Sequence, residues 1–202
     1  MKFYNAAAPS PRRVRIFLAE KGIEIPRVDL DLPAGETRRD DFLKKNRLGE
    51  VPLLELDDGT VITESQAICR YLEALHPDPS LFGRDPVERA GIEMWDRRVE
   101  LGIMNPLGQI ARHTFSFFAD KLTQVPACAA AQRADMAERF AWLDEELSDG
   151  RPFIAGERFS VADITGMTAA MLADFVEVAI PASLPHLSRW NQTLRARPSW
   201  SA

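Results

Sequence analysis

Apolar and polar residues alternate between strand-like and helix-like spacing along the first part of the chain. Residues 2–5 are β-prone, and after a short loop apolar residues recur at helical spacing as far as Lys21. Ser10, which is followed by proline, is a candidate N-cap for this helix, and Gly22 is placed to end it. Residues 25–32 are β-prone again. The pattern predicts a β-α-β unit, whose crossover connection implies parallel strands.

A hairpin and two further helices complete this first region. The polar residues 33–41 lead into a short helix around residues 42–45. Two β-prone runs, residues 51–56 and 60–62, flank an Asp-Asp-Gly turn, which is a strong hairpin signal. A helix with apolar residues on one side opens near Ser65 and ends before the next prolines. The predicted order of elements is therefore β-α-β-α-β-β-α.

A linker separates this region from the rest of the chain. Prolines and a glycine crowd residues 76–86, a composition typical of linkers. The expected division is a first domain of residues 1–77, a linker of residues 78–86 and a second domain of residues 87–202. No strand pattern follows the linker, so the second domain is predicted to be all helical. Its helices are expected at residues 86–118, with a kink at Pro106, and at residues 128–147, 161–176 and 185–195.

The composition narrows the classes of partner and compartment. Among 202 residues, 25 basic and 30 acidic side chains give a net charge of −5 without a long block of either sign, so no nucleic-acid partner is expected. Cys69 and Cys128 belong to no C-x-x-C motif or His/Cys cluster, which argues against a metal site, a dithiol motif and a disulfide framework. No apolar run is long enough for a signal peptide or a membrane span. We expect a cytoplasmic protein with no membrane partner.

Three short segments carry polar groups at predicted junctions between strands and helices. Ser10 is either a helix cap or a hydroxyl that faces the positive end of the helix dipole, where an anion is favoured. Pro52 either marks the first residue of an edge strand or forms a cis peptide with Val51, which would turn the Val51 backbone toward an extended, peptide-like ligand. Glu64 and Ser65 either open a helix, with Ser65 as its cap, or bind the ammonium and the carboxylate of an α-amino acid head group. A γ-glutamyl group presents such a zwitterion.

Five stretches share their order and spacing with a known family. They are Phe3-Tyr4, Ser10-Pro11-Arg12-Arg13-Val14-Arg15-Ile16, Ala19-Glu20-Lys21-Gly22-Ile23, Asn46-Arg47-Leu48-Gly49-Glu50-Val51-Pro52-Leu53-Leu54, and Asp58-Gly59-Thr60-Val61-Ile62-Thr63-Glu64-Ser65-Gln66-Ala67-Ile68. Together they closely resemble the glutathione S-transferase family, and the resemblance spans nearly the whole chain. It continues into the second domain, where Ser160 and Asp163 are placed to form a capping box.

The resemblance implies a fold and a ligand. The fold is a thioredoxin-like N-terminal domain that binds glutathione, followed by a helical-bundle C-terminal domain that shapes a site for a small hydrophobic electrophile. Val51 is then expected to pair its backbone with the cysteinyl part of glutathione across a cis Pro52. Glu64 and Ser65 are expected to hold the γ-glutamyl group.

Two further expectations follow from the resemblance. Arg38 or Arg39, in the polar loop before the second helix, is a candidate partner for the glycine carboxylate, with a solvated surface position as the alternative. Members of the family usually form homodimers. Ile92 and Met94, on the first helix after the linker, are apolar positions expected to be exposed and available for such an interface.

The sequence departs from the family pattern where the thiol of glutathione is activated. Ala6, Ala7 and Ala8 stand where serine-type members often carry the catalytic hydroxyl. Ser10 stands where cysteine-bearing bacterial members have their cysteine, and it is the expected catalytic residue. Tyr4 and the backbone N–H groups of the loop are the alternatives.

The function implied by the resemblance is that of a glutathione transferase, which conjugates or substitutes the glutathione thiolate onto a small hydrophobic electrophile. Three alternatives stay open. One is a glutathione-dependent reductase or peroxidase, against which serine rather than cysteine at position 10 counts. The others are a non-catalytic glutathione-binding or interaction protein and an enzyme that uses glutathione for isomerisation or ring opening. A shared fold does not separate these activities.

Overall fold

The computed structural model describes residues 1–202 and divides into two compact units. One unit contains residues 1–81 and 201–202, and the other contains residues 82–200. The division after residue 81 falls inside the linker expected at residues 78–86. None of the helices is both long enough and apolar enough to cross a membrane.

The first unit contains a sheet of short strands and three α-helices. The elements are β1 (Lys2–Asn5), α1 (Pro9–Lys21), β2 (Arg27–Asp29), α2 (Asp40–Leu43), β3 (Leu53–Glu55), β4 (Val61–Thr63) and α3 (Ser65–Leu75), with a 3-10 turn at Glu36–Arg38. The strand order is β2-β1-β3-β4, in which β1 is parallel to β2 and antiparallel to β3, and β3 pairs with β4 as a hairpin. The predicted order of elements, the parallel pair and the hairpin are confirmed. This is the thioredoxin-like arrangement that the resemblance implied.

Both faces of this sheet are covered. Leu53 and Leu54 are adjacent on β3 and therefore point to opposite faces, yet both are 0% exposed. Val14 and Phe17 of α1 and Ile68 of α3 are also fully buried. The apolar stripes of the helices therefore pack into the same core as the strands.

The start of α1 differs from the prediction. Its N-cap is Ala8, in an extended conformation, and Ser10 lies inside the first turn without capping the helix. Pro9 explains the difference. Its fixed φ and missing N–H suit the first helical position, just as those of Pro11 would. In addition, the residue before a proline prefers an extended backbone, as Ala8 has. The predicted end is confirmed, because Gly22 adopts a left-handed conformation, with φ of 63°, and caps the helix.

The second unit is all helical, as predicted. Its elements are α4 (Pro86–Val99), α5 (Asn105–Thr114), α6 (Pro126–Glu146), α7 (Val161–Phe175) and α8 (Pro185–Arg195), with a 3-10 turn at Ser116–Phe118. A further 3-10 turn, Pro198–Ser201, ends one residue beyond this unit. The kink expected at Pro106 is a π-helical segment, Glu100–Met104, between α4 and α5. Pro106 has no N–H to bond the carbonyl of Gly102, and Arg139 of α6 donates to that carbonyl at 2.9 Å instead.

The start of α7 contains the predicted capping box. Ser160 is the N-cap, its backbone N–H donates to the Asp163 carboxylate at 3.0 Å, and both residues are buried. The same carboxylate accepts from the backbone N–H of Ile154 and from the indole N–H of Trp190, each at 2.9 Å. Burial nevertheless raises the pKa of Asp163 to about 6. This side chain thus ties α7 to α8 and to the loop before α7.

Candidate functional site

The register of the sheet brings the three candidate segments to one edge. Tyr4 of β1 pairs with Leu53 of β3, and Leu53 pairs with Thr63 of β4. The end of β1, the beginning of β3 and the end of β4 therefore lie side by side. At this edge, the loop before α1 follows β1, Val51-Pro52 precedes β3, and Glu64 follows β4. The strand register, which the sequence does not specify, assembles the site.

The loop between β1 and α1 presents hydrogen-bond donors at this edge. Pro9 and Pro11 have no N–H, and the N–H of Arg12 donates to the carbonyl of Ala8 at 3.2 Å. The N–H groups of Ala7 and Ser10 form no hydrogen bond with the backbone. These two groups, together with the half-buried hydroxyl of Ser10, lie at the positive end of the α1 dipole. The arrangement can therefore stabilise an anion.

Val51 offers an unpaired backbone at the beginning of β3. The Val51-Pro52 peptide is cis, as one of the two sequence-based interpretations required. Val51 precedes the paired residues of β3, and neither its N–H nor its carbonyl is hydrogen-bonded to another backbone group. The preceding loop is held by Asn46, whose side-chain amide donates to the Glu50 carbonyl at 2.8 Å. An extended peptide-like ligand can therefore add to this edge.

Glu64 and Ser65 form the start of α3 in a different way from the simple helix-cap interpretation. Glu64, not Ser65, occupies the N-cap position, and its side chain makes no capping hydrogen bond. Its φ of 66° is unusual for a residue with a Cβ, and its side chain is exposed. Ser65 is buried and its hydroxyl oxygen accepts from Arg13 at 2.9 Å. The first N–H groups of α3, which have no partner within the helix, face the same end.

The contact between Arg13 and Ser65 is a feature that sequence reasoning missed. Arg13 is 2% exposed and connects α1 to the first residue of α3, and 52 positions separate the two residues. In the sequence, Arg13 appears only within the stretch of residues 10–16 that carries the family resemblance. No local pattern could have revealed the contact, because it depends on how the two helices pack on the sheet.

The two arginines before α2 have different surroundings. Arg38 donates from Nη1 to the carbonyl of Leu48 at 3.1 Å, within the loop that leads to Val51. Gly49 in this loop has φ of 63°, and a Cβ there would lie 2.9 Å from the backbone oxygen of Thr37, so glycine is needed there. Arg39 instead forms an ion pair with Glu36 at 3.1 Å. Of the two predicted candidates, Arg38 therefore lies beside the loop of the site, whereas Arg39 pairs with Glu36.

The hydroxyl of Tyr4 already forms a hydrogen bond with another side chain. Its hydroxyl donates to the Glu55 carboxylate at 2.7 Å, and Lys45 pairs with the other oxygen of that carboxylate at 2.5 Å. Burial and then the hydrogen bond to Glu55 raise the pKa of Tyr4. The hydroxyl therefore stays protonated and bound to Glu55 at neutral pH. No group of three or more His, Cys, Asp or Glu side chains is placed to hold a metal ion.

Comparisons with known proteins agree with this geometry. The family model described as the glutathione S-transferase N-terminal domain matches residues 8–75, and the corresponding C-terminal domain model matches residues 105–198. Glutathione S-transferase 2 of Saccharomyces cerevisiae is 36% identical over 197 residues, which cover 96% of this chain and 84% of that protein. The crystal structure of a glutathione S-transferase domain-containing protein from Marinobacter aquaeolei superposes with a TM-score of 0.92 at 41% identity, covering 99% of this chain and 100% of that one. A maleylacetoacetate isomerase of Pseudomonas aeruginosa is 40% identical over 93 residues, which cover 45% of this chain and 44% of that enzyme.

Proposed function

The chain belongs to the glutathione S-transferase family, and we propose that it joins the thiol of glutathione to a small hydrophobic electrophile, by addition or by substitution. The observation that carries the proposal is the placement of the segments containing Ser10, Val51 and Glu64 at one edge of the sheet. Each segment supplies a group that one part of glutathione requires.

The fit follows the order of the strands. At the end of β4, the Glu64 carboxylate suits the ammonium of the γ-glutamyl group, and the N–H groups of α3 with the Ser65 hydroxyl suit its carboxylate. At the beginning of β3, the free N–H and carbonyl of Val51 suit the cysteinyl backbone. Arg38, beside the loop before Val51, suits the glycine carboxylate.

The loop after β1 then receives the thiol. A free thiol has a pKa near 8.5, so only a few per cent of it is thiolate at pH 7, and each unit of decrease requires about 1.4 kcal/mol of preferential stabilisation of the anion. A serine hydroxyl is too weak an acid to serve as the base at neutral pH, so Ser10 acts by donating its hydrogen. The N–H groups of Ala7 and Ser10 are the remaining donors. The proton goes to solvent, and the thiolate attacks the electrophilic carbon. In a substitution, the leaving group departs with the electron pair of the broken bond; in an addition, the π-electron pair moves to the neighbouring atom, which takes a proton from solvent.

Ser10→Ala tests this assignment. The variant should raise the pKa of the bound thiol by about one unit or more and lower turnover at pH 6.5 by about tenfold or more. Glutathione affinity should change little, because the γ-glutamyl, cysteinyl and glycine contacts remain. Since Ser10 does not cap α1, the loss of about 0.5–2 kcal/mol typical of a removed cap is not expected. The measurements are the ultraviolet absorbance of the thiolate against pH, and urea denaturation of both proteins.

The outcomes separate the possibilities. An unchanged titration in the folded variant contradicts a role for the Ser10 hydroxyl and leaves the N–H groups of Ala7 and Ser10 as the donors. A wild-type protein that binds glutathione without lowering its thiol pKa contradicts the transferase and supports a binding function. A wild-type protein that does not bind glutathione contradicts the whole proposal.

A second candidate function is an isomerisation in which glutathione adds to the substrate and is released again. The similarity of nearly half of the chain to an isomerase favours it. Mass spectrometry of the product distinguishes the two activities. A transferase yields a product that contains glutathione, whereas an isomerase yields free glutathione and a product with the same mass as the substrate.

The homodimer is proposed as well. Ile92 is 6% exposed, so the expectation that it lies on the surface is wrong, because its side of α4 faces the core. Met94 is 42% exposed, as expected, and Leu101 and Trp142 of the second unit are 60% and 36% exposed. Leu101 and Trp142 line the same open groove, and contiguous exposed apolar surface supports an interface with a second subunit.

A further inference from the structure

A chain of polar contacts holds the loop that carries the proposed thiolate donors. Arg15 of α1 donates from one nitrogen, Nη1, to the side-chain oxygen of Asn5 at 2.5 Å and to the carbonyl of Ala6 at 3.2 Å. The side-chain N–H of Asn5 donates in turn to Asp29 at 2.5 Å. Asn5 thus accepts on its oxygen and donates from its nitrogen, which satisfies both ends of the amide.

Helix geometry explains how Arg15 reaches so far back. Side chains on a helix tilt toward its N-terminus, so a residue in the second turn of α1 covers the loop before the helix. Asn5 is 6% exposed and is the last residue of β1, where its backbone carbonyl accepts from Leu30 at 2.8 Å. One end of the network is therefore fixed in the sheet, and the other is fixed in α1.

The carbonyl of Ala6 is the point at which this network meets the loop. It accepts from the N–H of Ala8 at 2.9 Å as well as from Arg15. Ala7 lies between the two anchored residues, so the direction of its N–H depends on how the Ala6 carbonyl is held. Pro9 and Pro11 remove the other N–H groups that could have formed this part of the site.

We propose that Arg15 is a positioning residue for the thiol step: by holding the Ala6 carbonyl and the Asn5 side chain, it aims the donors of the loop at the glutathione sulfur. The inference rests on the proposed function. Arg15 also places a permanent positive charge behind the loop, because a guanidinium stays protonated at neutral pH. Burial, with Arg12 and Arg27 nearby, lowers the pKa of Arg15, while Asp29 raises it; these are the charged groups that face it.

The test compares the thiol with the rest of the ligand. Arg15→Gln removes the charge and the double contact, and should raise the pKa of the bound glutathione thiol by about one unit, lowering the thiolate fraction at pH 6.5 by up to about tenfold. The dissociation constant of S-methylglutathione, which has no ionisable thiol, should stay within about twofold of wild type. Ultraviolet absorbance of the thiolate against pH measures the first quantity, and calorimetric titration measures the second. If Arg15→Gln does not fold, Arg15→Met, which keeps aliphatic packing, replaces it.

Two further variants serve as controls. Arg27→Gln removes a nearby arginine that donates to Asp29 at 3.0 Å instead of to Asn5 or Ala6, and it should change neither quantity. Arg15→Lys keeps a charged donor, so the pKa of the glutathione thiol bound to it should lie closer to the wild-type value than the pKa measured for Arg15→Gln.

The results that overturn the inference are distinct from failure of the proposed function. An unchanged thiol pKa in folded Arg15→Gln overturns it. A variant that raises the thiol pKa and also weakens S-methylglutathione binding overturns it too, since that result indicates a general loss of structure. A wild-type protein that does not bind S-methylglutathione contradicts the proposed function itself, and the inference with it.

Discussion

Replacing Glu64 tests both the γ-glutamyl contact and the reason for an unusual backbone conformation. Glu64 has φ of 66° and ψ of 121° although it carries a Cβ, and its exposed side chain does not cap α3. Holding a residue with a Cβ in such a sparsely populated region costs of order 1–3 kcal/mol. In the proposed function, the carboxylate held in this conformation binds the ammonium of glutathione, so the strain has a functional purpose.

Two substitutions at this position separate binding from strain. Glu64→Ala removes the carboxylate and keeps the Cβ, whereas Glu64→Gly removes both. Each should weaken glutathione binding by about 1.5–3 kcal/mol, the range for hydrogen bonds to charged groups, which raises the Kd by about 10- to 150-fold. Glycine relieves about 1–3 kcal/mol of strain but loses about 0.5–1 kcal/mol of chain entropy. The free energy of unfolding of Glu64→Gly should therefore exceed that of Glu64→Ala by up to about 2.5 kcal/mol.

The chain offers a matched control in Glu177, which has φ of 56° directly after the C-terminal end of α7. Glu177→Gly should raise the free energy of unfolding for the same reason and leave the Kd of glutathione unchanged. Calorimetric titration gives the Kd, and urea denaturation gives the stability. If folded Glu64→Ala bound glutathione within twofold of wild type, the γ-glutamyl assignment would be refuted. If Glu64→Gly were less stable than Glu64→Ala, the argument from strain would be refuted.

Three further outcomes are expected. Arg38→Gln should raise the Kd of glutathione by about tenfold, whereas Arg39→Gln, whose arginine already pairs with Glu36, should stay within about twofold; equal effects in calorimetry contradict the choice of Arg38. Because the pKa of Asp163 rises from 3.8 to about 6 on folding, the folded state binds the extra proton, and the resulting stability is present at low pH and lost as pH rises through 6. The wild-type free energy of unfolding should thus fall relative to that of Asp163→Asn between pH 4 and 6, by up to about 3 kcal/mol, and parallel urea denaturation curves would contradict this. Light scattering at micromolar concentration should give about twice the chain mass, and a mass near 22.7 kDa would contradict the homodimer.

Short-range patterns along the chain predict the elements and many of their ends. The left-handed cap at Gly22 and the capping box of Ser160 and Asp163 follow from interactions between residues a few positions apart, so local patterns identify them. The hairpin is local in the same sense, since its turn joins two consecutive strands. The cap assigned to Ser10 failed for a local reason too, because two prolines suit the first turn and the pattern does not choose between them.

The arrangement of these elements into a site depends on contacts between distant parts of the chain. The register of β1, β3 and β4 places distant segments at one edge, and a shift of one residue would turn every side chain to the opposite face. Packing of α1 against α3 brings Arg13 to Ser65 across 52 positions, and the loop before Val51 distinguishes Arg38 from Arg39. These contacts depend on the burial of many side chains from distant parts of the chain, so they cannot be predicted from any short stretch of sequence. The sequence therefore predicts which residue types form the site, whereas the packing of the core decides which partners they contact.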